Sequence, residues 1–261
     1  MGKLAIVFPG QGAQYVGMGK ELCESYKSAG DIFDAASSAL GLDIKEMIFN
    51  GTDEILKITE NTQPTILTMS VACYEVLKEK GVKPEVVAGL SLGEYAAHVV
   101  SGSIAFKDAV ALVKKRGKYM QEAVPIGVGT MAAVLGLENE EVVRCCKEAS
   151  SLGVVEPANF NCPGQVVIAG EVKAVEKAVE LAKEKGAKRS MILPVSAPFH
   201  CSMLKPAGEK LAKELEGVRM NGMSIPVVTN VTGDFVVDAA KIKELLVVLK
   251  LKKRYENNWF G

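Results

Sequence analysis

The sequence predicts an α/β protein: a large unit of hydrolase-like organisation with a mainly parallel sheet, into which a small ferredoxin-like α+β unit is inserted. Three observations carry that expectation. First, a β-branched run at 86–88 ends in Gly89-Leu-Ser-Leu-Gly93, and an alanine-rich helical pattern follows. This is the strand-turn-helix setting in which Gly-x-Ser-x-Gly reads as a nucleophile elbow. Second, residues 125–194 run strand, helix, strand, strand, helix, strand, the order of a ferredoxin-like unit. Third, 261 residues suffice for one large core and a smaller inserted unit. The expected division is 1–124 and 195–261 for the two parts of the large domain, the second apparently incomplete, with 125–194 as the small domain.

Taken in order, 3–8 is a short apolar run without alternation, as expected of a central strand covered on both faces. Residues 17–39 carry helical spacing, with Met18, Leu22, Tyr26 and Phe33 on one side and Gly41 as a stop. A polar stretch follows. Asn61-Thr-Gln-Pro64 reads as a helix start, since proline is tolerated in a first turn where no N–H is needed. That helix runs through Ile66 and Tyr74 to Gly81, Pro84 introduces the elbow strand, and a further helix spans 106–123. In the small unit the expected strands are 129–135, 154–160, 165–169 and 188–194, with helices at 138–149 and 173–185. The large unit should then add a helix at 204–215, a strand at 225–230 and a final helix from Ala239.

Composition excludes several classes. Lysine plus arginine and aspartate plus glutamate both total 31, so nothing asks for nucleic acid or an anionic membrane. No apolar run is long enough to span a bilayer, and the first residues enter a strand with no secretory pattern. Six cysteines occur without a CxxC pair, which fits a reduced cytoplasmic protein. With two histidines and no cysteine cluster, no metal site is expected.

The chemistry centres on Ser91. Its turn needs glycine on both sides, because side chains there would collide with the crossing backbone. The hydroxyl would sit at a helix N-terminus that favours developing negative charge. The plainer reading is a βα turn whose serine caps the helix. A nucleophilic serine needs a base. His98, seven residues on along the same helix, lies about 10 Å further down the axis and is expected to be a partly buried or surface residue. His200, in Val195-Ser-Ala-Pro-Phe-His-Cys201, remains as the candidate base. No carboxylate stands out as a third member, so a full triad and a serine-histidine pair oriented by a backbone carbonyl both stay open. Cys201 is a rival nucleophile whose plainer reading is a buried thiol.

Two further features border the serine. Pro9-Gly-Gln-Gly-Ala-Gln14 lacks the third glycine of a dinucleotide fingerprint, having Tyr15 there, and lacks the Gly-Lys-Ser/Thr of a phosphate loop. What remains is a close-approach loop able to aim the Gln11 N–H at a neighbouring site. Arg116, in Lys114-Lys-Arg116, would by itself read as solvated charge. Facing the serine, its guanidinium would take a free carboxylate through two parallel hydrogen bonds.

Together these pieces resemble the malonyl-CoA:acyl carrier protein transacylase family. The matching motifs are Phe8-Pro-Gly-Gln-Gly-Ala-Gln14, Thr62-Gln-Pro64, Gly89-Leu-Ser-Leu-Gly-Glu-Tyr95, Lys115-Arg-Gly117 with Met120-Gln121, Asn159-Phe-Asn-Cys-Pro-Gly-Gln165 and the following Val-Val-Ile, Ser196-Ala-Pro-Phe-His200, and Thr229-Asn-Val-Thr-Gly233. They occur in family order over nearly the whole chain. The resemblance implies that Ser91 carries the malonyl group as an ester, that His200 is base and then acid, and that the N–H groups of Gln11 and Leu92 form the oxyanion hole. It implies that Arg116 holds the malonyl carboxylate, that Asn159, Asn161 and Gln165 are polar pocket residues, and that Phe199 narrows the pocket against branched groups. Malonyl-CoA is then a substrate rather than a cofactor, acyl carrier protein is the partner, and a cytoplasmic monomer serving fatty acid synthesis is expected. Neither nucleic acid nor a membrane is implied, and no cofactor.

Two departures accompany the resemblance. Leu90 replaces the histidine that many relatives have before the nucleophile. Leu249 falls where the family has a glutamine whose main-chain carbonyl orients the histidine, and the family continues for several dozen residues past the point where this sequence ends. An open sheet edge, an uncovered part of the core and weak activity or stability are expected from that. The alternatives are a serine thioesterase or hydrolase with the same elbow, and a non-catalytic remnant that only binds carrier protein.

Overall fold

The computed structural model describes residues 3–247 except 126, 194, 196 and 237. In chain order its elements are β1 (Ala5–Phe8), α1 (Lys20–Ser25), α2 (Lys27–Leu40), α3 (Ile44–Phe49), α4 (Asp53–Lys57), α5 (Thr59–Glu79), β2 (Val86–Gly89), α6 (Gly93–Val100) and α7 (Phe106–Ala123). There follow β3 (Gly129–Leu135), α8 (Asn139–Ala149), β4 (Val155–Cys162), β5 (Gln165–Glu171), α9 (Val172–Glu184) and β6 (Arg189–Ile192). The chain continues with α10 (Lys205–Glu216), β7 (Val227–Val228), β8 (Phe235–Val236) and α11 (Ile242–Val247). The described residues form two compact units, one drawn from 3–118 and 211–245, the other from 119–210 and 246–247.

In the first unit the sheet runs β1-β2-β7-β8, parallel across the first three strands and antiparallel at the β7-β8 hairpin. This is the mainly parallel sheet that the sequence predicts. The strand β1 is one-sided, however, rather than covered on both faces: it ends the described strand order, and Val7 is 70% exposed. The expected helix over 17–39 is two helices. Gly19 takes a left-handed φ of 80° that delays the start, and Tyr26 is extended (φ −133°), its N–H closing α1 onto the Leu22 carbonyl. The helix α5 begins at Thr59, so Pro64 sits inside it rather than in its first turn. Threonine hydroxyls cover carbonyls around the proline: Thr62 donates to the Leu56 and Ile58 oxygens, Thr65 to that of Asn61 and Thr68 to that of Pro64. The polar stretch before it hides two short helices, each begun by a side-chain cap, Asp43 to Glu46 N and Thr52 to Ile55 N. The strand expected at 225–230 reduces to Val227–Val228, and the helix expected from Ala239 starts as a 3₁₀ turn and becomes α11 at Ile242.

In the second unit all pairings are antiparallel in the order β4-β5-β3-β6, and α8 and α9 connect β3 to β4 and β5 to β6. That is the ferredoxin-like arrangement. Both helices bury apolar faces on one side of the sheet, where Val142, Cys146, Val175 and Ala178 meet Val134, Val166 and Ile168. The second unit keeps the chain as far as Lys210, past the expected return at 195. The reason lies in its bonds: Ser202 N donates to Glu156 Oε2 of β4, and Lys210 Nζ pairs with Glu122. Among the described residues, no helix is long and apolar enough to cross a membrane.

Candidate functional site

The serine turn is set by close backbone crossings. A Cβ on Gly89 would fall 2.0 Å from the Gly93 carbonyl carbon, and one on Gly93 would fall 2.2 Å from the Phe8 oxygen. Only glycine fits at either place, which is the steric meaning of the motif. Ser91, between them, is held at φ 52°, and α6 begins two residues later. The left-handed conformation costs an ordinary side chain about 1–2 kcal/mol, so surrounding contacts must impose it. The loop after β1 closes against the same turn. Leu90 N donates to the Phe8 oxygen, and a Cβ on Gly10 would stand 2.8 Å from the Leu90 oxygen. Gln11 follows, exposed, with its side chain donating to Thr59 Oγ1 at 3.3 Å. Leu92 is buried at the start of α6.

Arg116 is not solvated. It is 4% exposed, donating from Nη2 to Ser91 Oγ at 3.1 Å and from Nη1 to Gln63 Oε1 at 2.8 Å. Its guanidinium also lies over the Tyr95 ring, 5.5 Å from the centroid. Gly117 permits this: a Cβ there would sit 2.5 Å from the Thr59 oxygen, so α7 runs tightly against α5 and brings Arg116 to Gln63. Burial pulls the guanidinium below its ordinary value, against the opposing pull of Tyr95 and Glu94. Burial pushes the Tyr95 hydroxyl up to about 12, so it stays neutral beside the cation. Arg116 Nε is buried without a hydrogen-bond partner among the described residues. A carboxylate arriving there would find a donor edge already desolvated.

The histidine lies in the second unit. His200 is buried at φ 64°, in a loop that packs on the start of β3, where a Cβ on Gly129 would meet Pro198 Cγ at 2.4 Å. Cys201 is buried, its thiol donating to the Pro198 oxygen at 3.1 Å, as the plainer reading of that residue expects. Phe199 is buried beside the histidine in sequence. Asn159 of β4 is buried opposite Val167 in register, on the sheet face turned away from α8 and α9. Asn161 is exposed near the end of β4, past a register irregularity, and Gln165 begins β5, accepting from Cys162 Sγ at 3.6 Å. Leu249 and Ser196 lie outside the described residues. Among the described residues, no group of three or more histidine, cysteine or acidic side chains could hold a metal ion.

The structure therefore gathers Ser91, Leu92, Arg116 and the Gln11 loop in one unit, and His200, Phe199, Asn159, Asn161 and Gln165 in the other. It corrects His98, which is fully buried rather than partly exposed, with Nδ1 2.8 Å from Ser103 Oγ. Sequence reasoning passed over Gln63, Tyr95, Glu94 and Asn230 as neighbours of the serine. All four stand inside motifs already singled out, but only the fold shows what they touch.

Residues 5–245 match the acyl transferase domain family. The chain is 48% identical over 248 residues to the malonyl CoA-acyl carrier protein transacylase of Bacillus subtilis (strain 168), covering 95% of this chain and 78% of that protein. It is 49% identical to the transacylase of Escherichia coli (strain K12), covering 95% and 80%. Among solved structures, an acyl-carrier-protein S-malonyltransferase from Burkholderia pseudomallei 1710b superposes with a TM-score of 0.92 at 51% identity, covering 96% of this chain and 82% of that one. A malonyl-transacylase in complex with a type II PKS acyl-carrier protein gives 0.94 at 46%, covering 97% and 83%.

Proposed function

Because the chain belongs to the acyl transferase domain family, and within it to the malonyl CoA-acyl carrier protein transacylases, we propose that Ser91 is its nucleophile and His200 its base and acid. The protein is an acyltransferase that moves malonyl from malonyl-CoA to acyl carrier protein. One observation carries the residue assignment. Among the described residues, Ser91 and His200 are the only non-glycine positions with positive φ, and backbone strain of that kind collects at functional sites.

In the proposed cycle, Ser91 Oγ attacks the thioester carbonyl while His200 takes its proton. The tetrahedral oxyanion is held by the N–H groups of Gln11 and Leu92. Collapse breaks the carbon-sulfur bond, and the proton on His200 passes to the departing coenzyme A thiolate. The malonyl group stays as an ester on Ser91. The carrier's phosphopantetheine thiol then gives its proton to His200 and attacks the ester, and Ser91 leaves with that proton.

Arg116 explains the choice of acyl group. Its Nη2 already bonds the nucleophile, so an acid one methylene from the reacting carbonyl reaches the guanidinium while the carbonyl reaches Ser91. Acetyl leaves a buried cation without its anion, and that is costly. Asn159, Asn161 and Gln165 would line the thioester side of the pocket and Phe199 would limit its width. The chemistry needs side chains and main-chain donors only, with no cofactor, and suits a cytoplasmic enzyme.

The test is product identity. With malonyl-CoA and holo carrier protein, malonyl-carrier should accumulate and free malonate should stay minor. Free malonate as the main product would favour the thioesterase reading, and carrier binding without any malonyl ester would favour the non-catalytic one.

A further inference from the structure

We propose that Asn230 and Glu94 form a clasp that holds Ser91 in its reactive left-handed conformation, making both of them positioning residues for the acyl transfer. The inference rests on Ser91 being the acylated serine. Asn230 follows the short strand β7, far from the elbow in sequence, yet its side-chain amide bridges the turn. Oδ1 accepts from Ser91 N at 2.9 Å, and Nδ2 donates to the Gly89 oxygen at 2.5 Å. The amide thus grips the peptide groups on both sides of Leu90. The Leu90-Ser91 peptide cannot turn over without losing the first of these bonds.

Glu94, in the first turn of α6, sets the amide's direction. Its Oε2 accepts from Asn230 Nδ2 and from Asn230 backbone N, the latter at 3.0 Å. Nδ2 therefore faces two acceptors while Oδ1 faces a donor. Flipping the amide would set Oδ1 against a carboxylate and a carbonyl, and Nδ2 against an N–H, so the chemistry fixes which atom is which. Glu94 is itself 4% exposed. Its other oxygen stands 3.8 Å from His98 Nε2, and that ring is anchored through Nδ1 to Ser103 in the turn after α6. The clasp is thus braced from β7 on one side and from α6 on the other. Neither residue is argued to touch substrate. Their action is to keep the nucleophile aimed, and a displacement of about 1 Å at a reacting atom costs on the order of a hundredfold in rate.

The experiment is single-turnover acylation by malonyl-CoA, with rate and apparent affinity read separately, on the parent, Asn230→Ala, Glu94→Ala and Glu94→Gln, beside a thermal melt of each. Asn230→Ala and Glu94→Ala should acylate about a hundredfold more slowly with affinity changed less than about threefold, because aim and binding are separable. Glu94→Gln keeps an oxygen acceptor toward Asn230 and should recover at least about tenfold of what Glu94→Ala loses. An Asn230→Ala rate near the parent's, or rates and affinities falling together, would overturn the clasp. Should Asn230→Ala fail to fold, the Glu94 pair decides: recovery by Gln supports the clasp, and equal rates overturn it. A parent that forms no ester at Ser91 defeats the underlying assignment instead.

Discussion

Ser91 and His200, the two non-glycine residues with positive φ among the described residues, are held in different ways. Around Ser91 the constraint is backbone on backbone, with Gly89, Gly93 and Gly10 each filling a space that admits no Cβ, and Asn230 closing the turn. Around His200 the constraint is a side chain on a glycine, Pro198 against Gly129, with Glu156 anchoring Ser202 just beyond. The first arrangement is rigid, and its glycines at 89 and 93 stand at fixed offsets from the serine even though Phe8, Gly10 and Asn230 come from distant parts of the chain. The second has more give and depends on Gly129, about seventy positions upstream, and Glu156, about forty-five.

That contrast can be broken or sharpened by substitution. The largest effect should come from Gly93→Ala, whose methyl would meet the Phe8 carbonyl inside a crossing of β1 and α6. A loss of about 4 kcal/mol or more is expected, seen as failure to express folded or a collapse of the chemical-denaturation midpoint. A melt close to the parent's would show that the crossing relaxes easily. Next, Arg116→Ala should lower kcat/KM for malonyl-CoA by about 2–4 kcal/mol, roughly thirtyfold to a thousandfold, while barely affecting acetyl-CoA. Arg116→Lys should recover little, since it cannot reproduce the fork that reaches Gln63 and Ser91 together. An unchanged malonyl-to-acetyl ratio would remove Arg116 from the specificity account.

The buried Tyr95 gives a pH test of the serine unit. Its hydroxyl pKa is raised from an ordinary 10.0 to about 12 by burial, so the folded state retains a proton that the unfolded chain releases first. The associated stability is whole below about pH 10 and is lost as pH rises toward 12, a fall of about 2–3 kcal/mol. Denaturation of the parent and of Tyr95→Phe across that window should show a shallower slope for the variant. The smallest effect is expected for Gly129→Ala. A proline ring on a loop can shift where a carbonyl in a crossing cannot, so about 1–2 kcal/mol should be lost in the melt, with a greater proportional loss of transfer rate through His200. If Gly129→Ala proved as damaging as Gly93→Ala, the contrast between the two loops would fail.

The same contrast explains what could be read from the residues. The elbow was legible because sterics demand glycine at fixed offsets from the serine, and the ferredoxin-like unit because its strands and helices alternate cleanly. His200 was legible only by elimination, there being two histidines, and its loop carries no local signature. Arg116 looked like surface charge because α7 is amphipathic and charged around it. Its burial depends on Gly117 admitting α5, a contact between elements. The one-sided β1, the break at Tyr26 and the two short capped helices were missed because apolar runs and helical spacing do not report strand order, extended kinks or single turns. The Asn230-Glu94 clasp joins residues 136 positions apart, and no pattern along the chain announces it.

The most direct test of the central assignment is the intact mass of the protein after brief mixing with malonyl-CoA, for the parent, Ser91→Ala and His200→Ala. The account expects one malonyl adduct on the parent, none on Ser91→Ala, and on His200→Ala an adduct that forms at least about a thousandfold more slowly. An adduct on Ser91→Ala equal to the parent's, or His200→Ala acylating at the parent's rate, would contradict it.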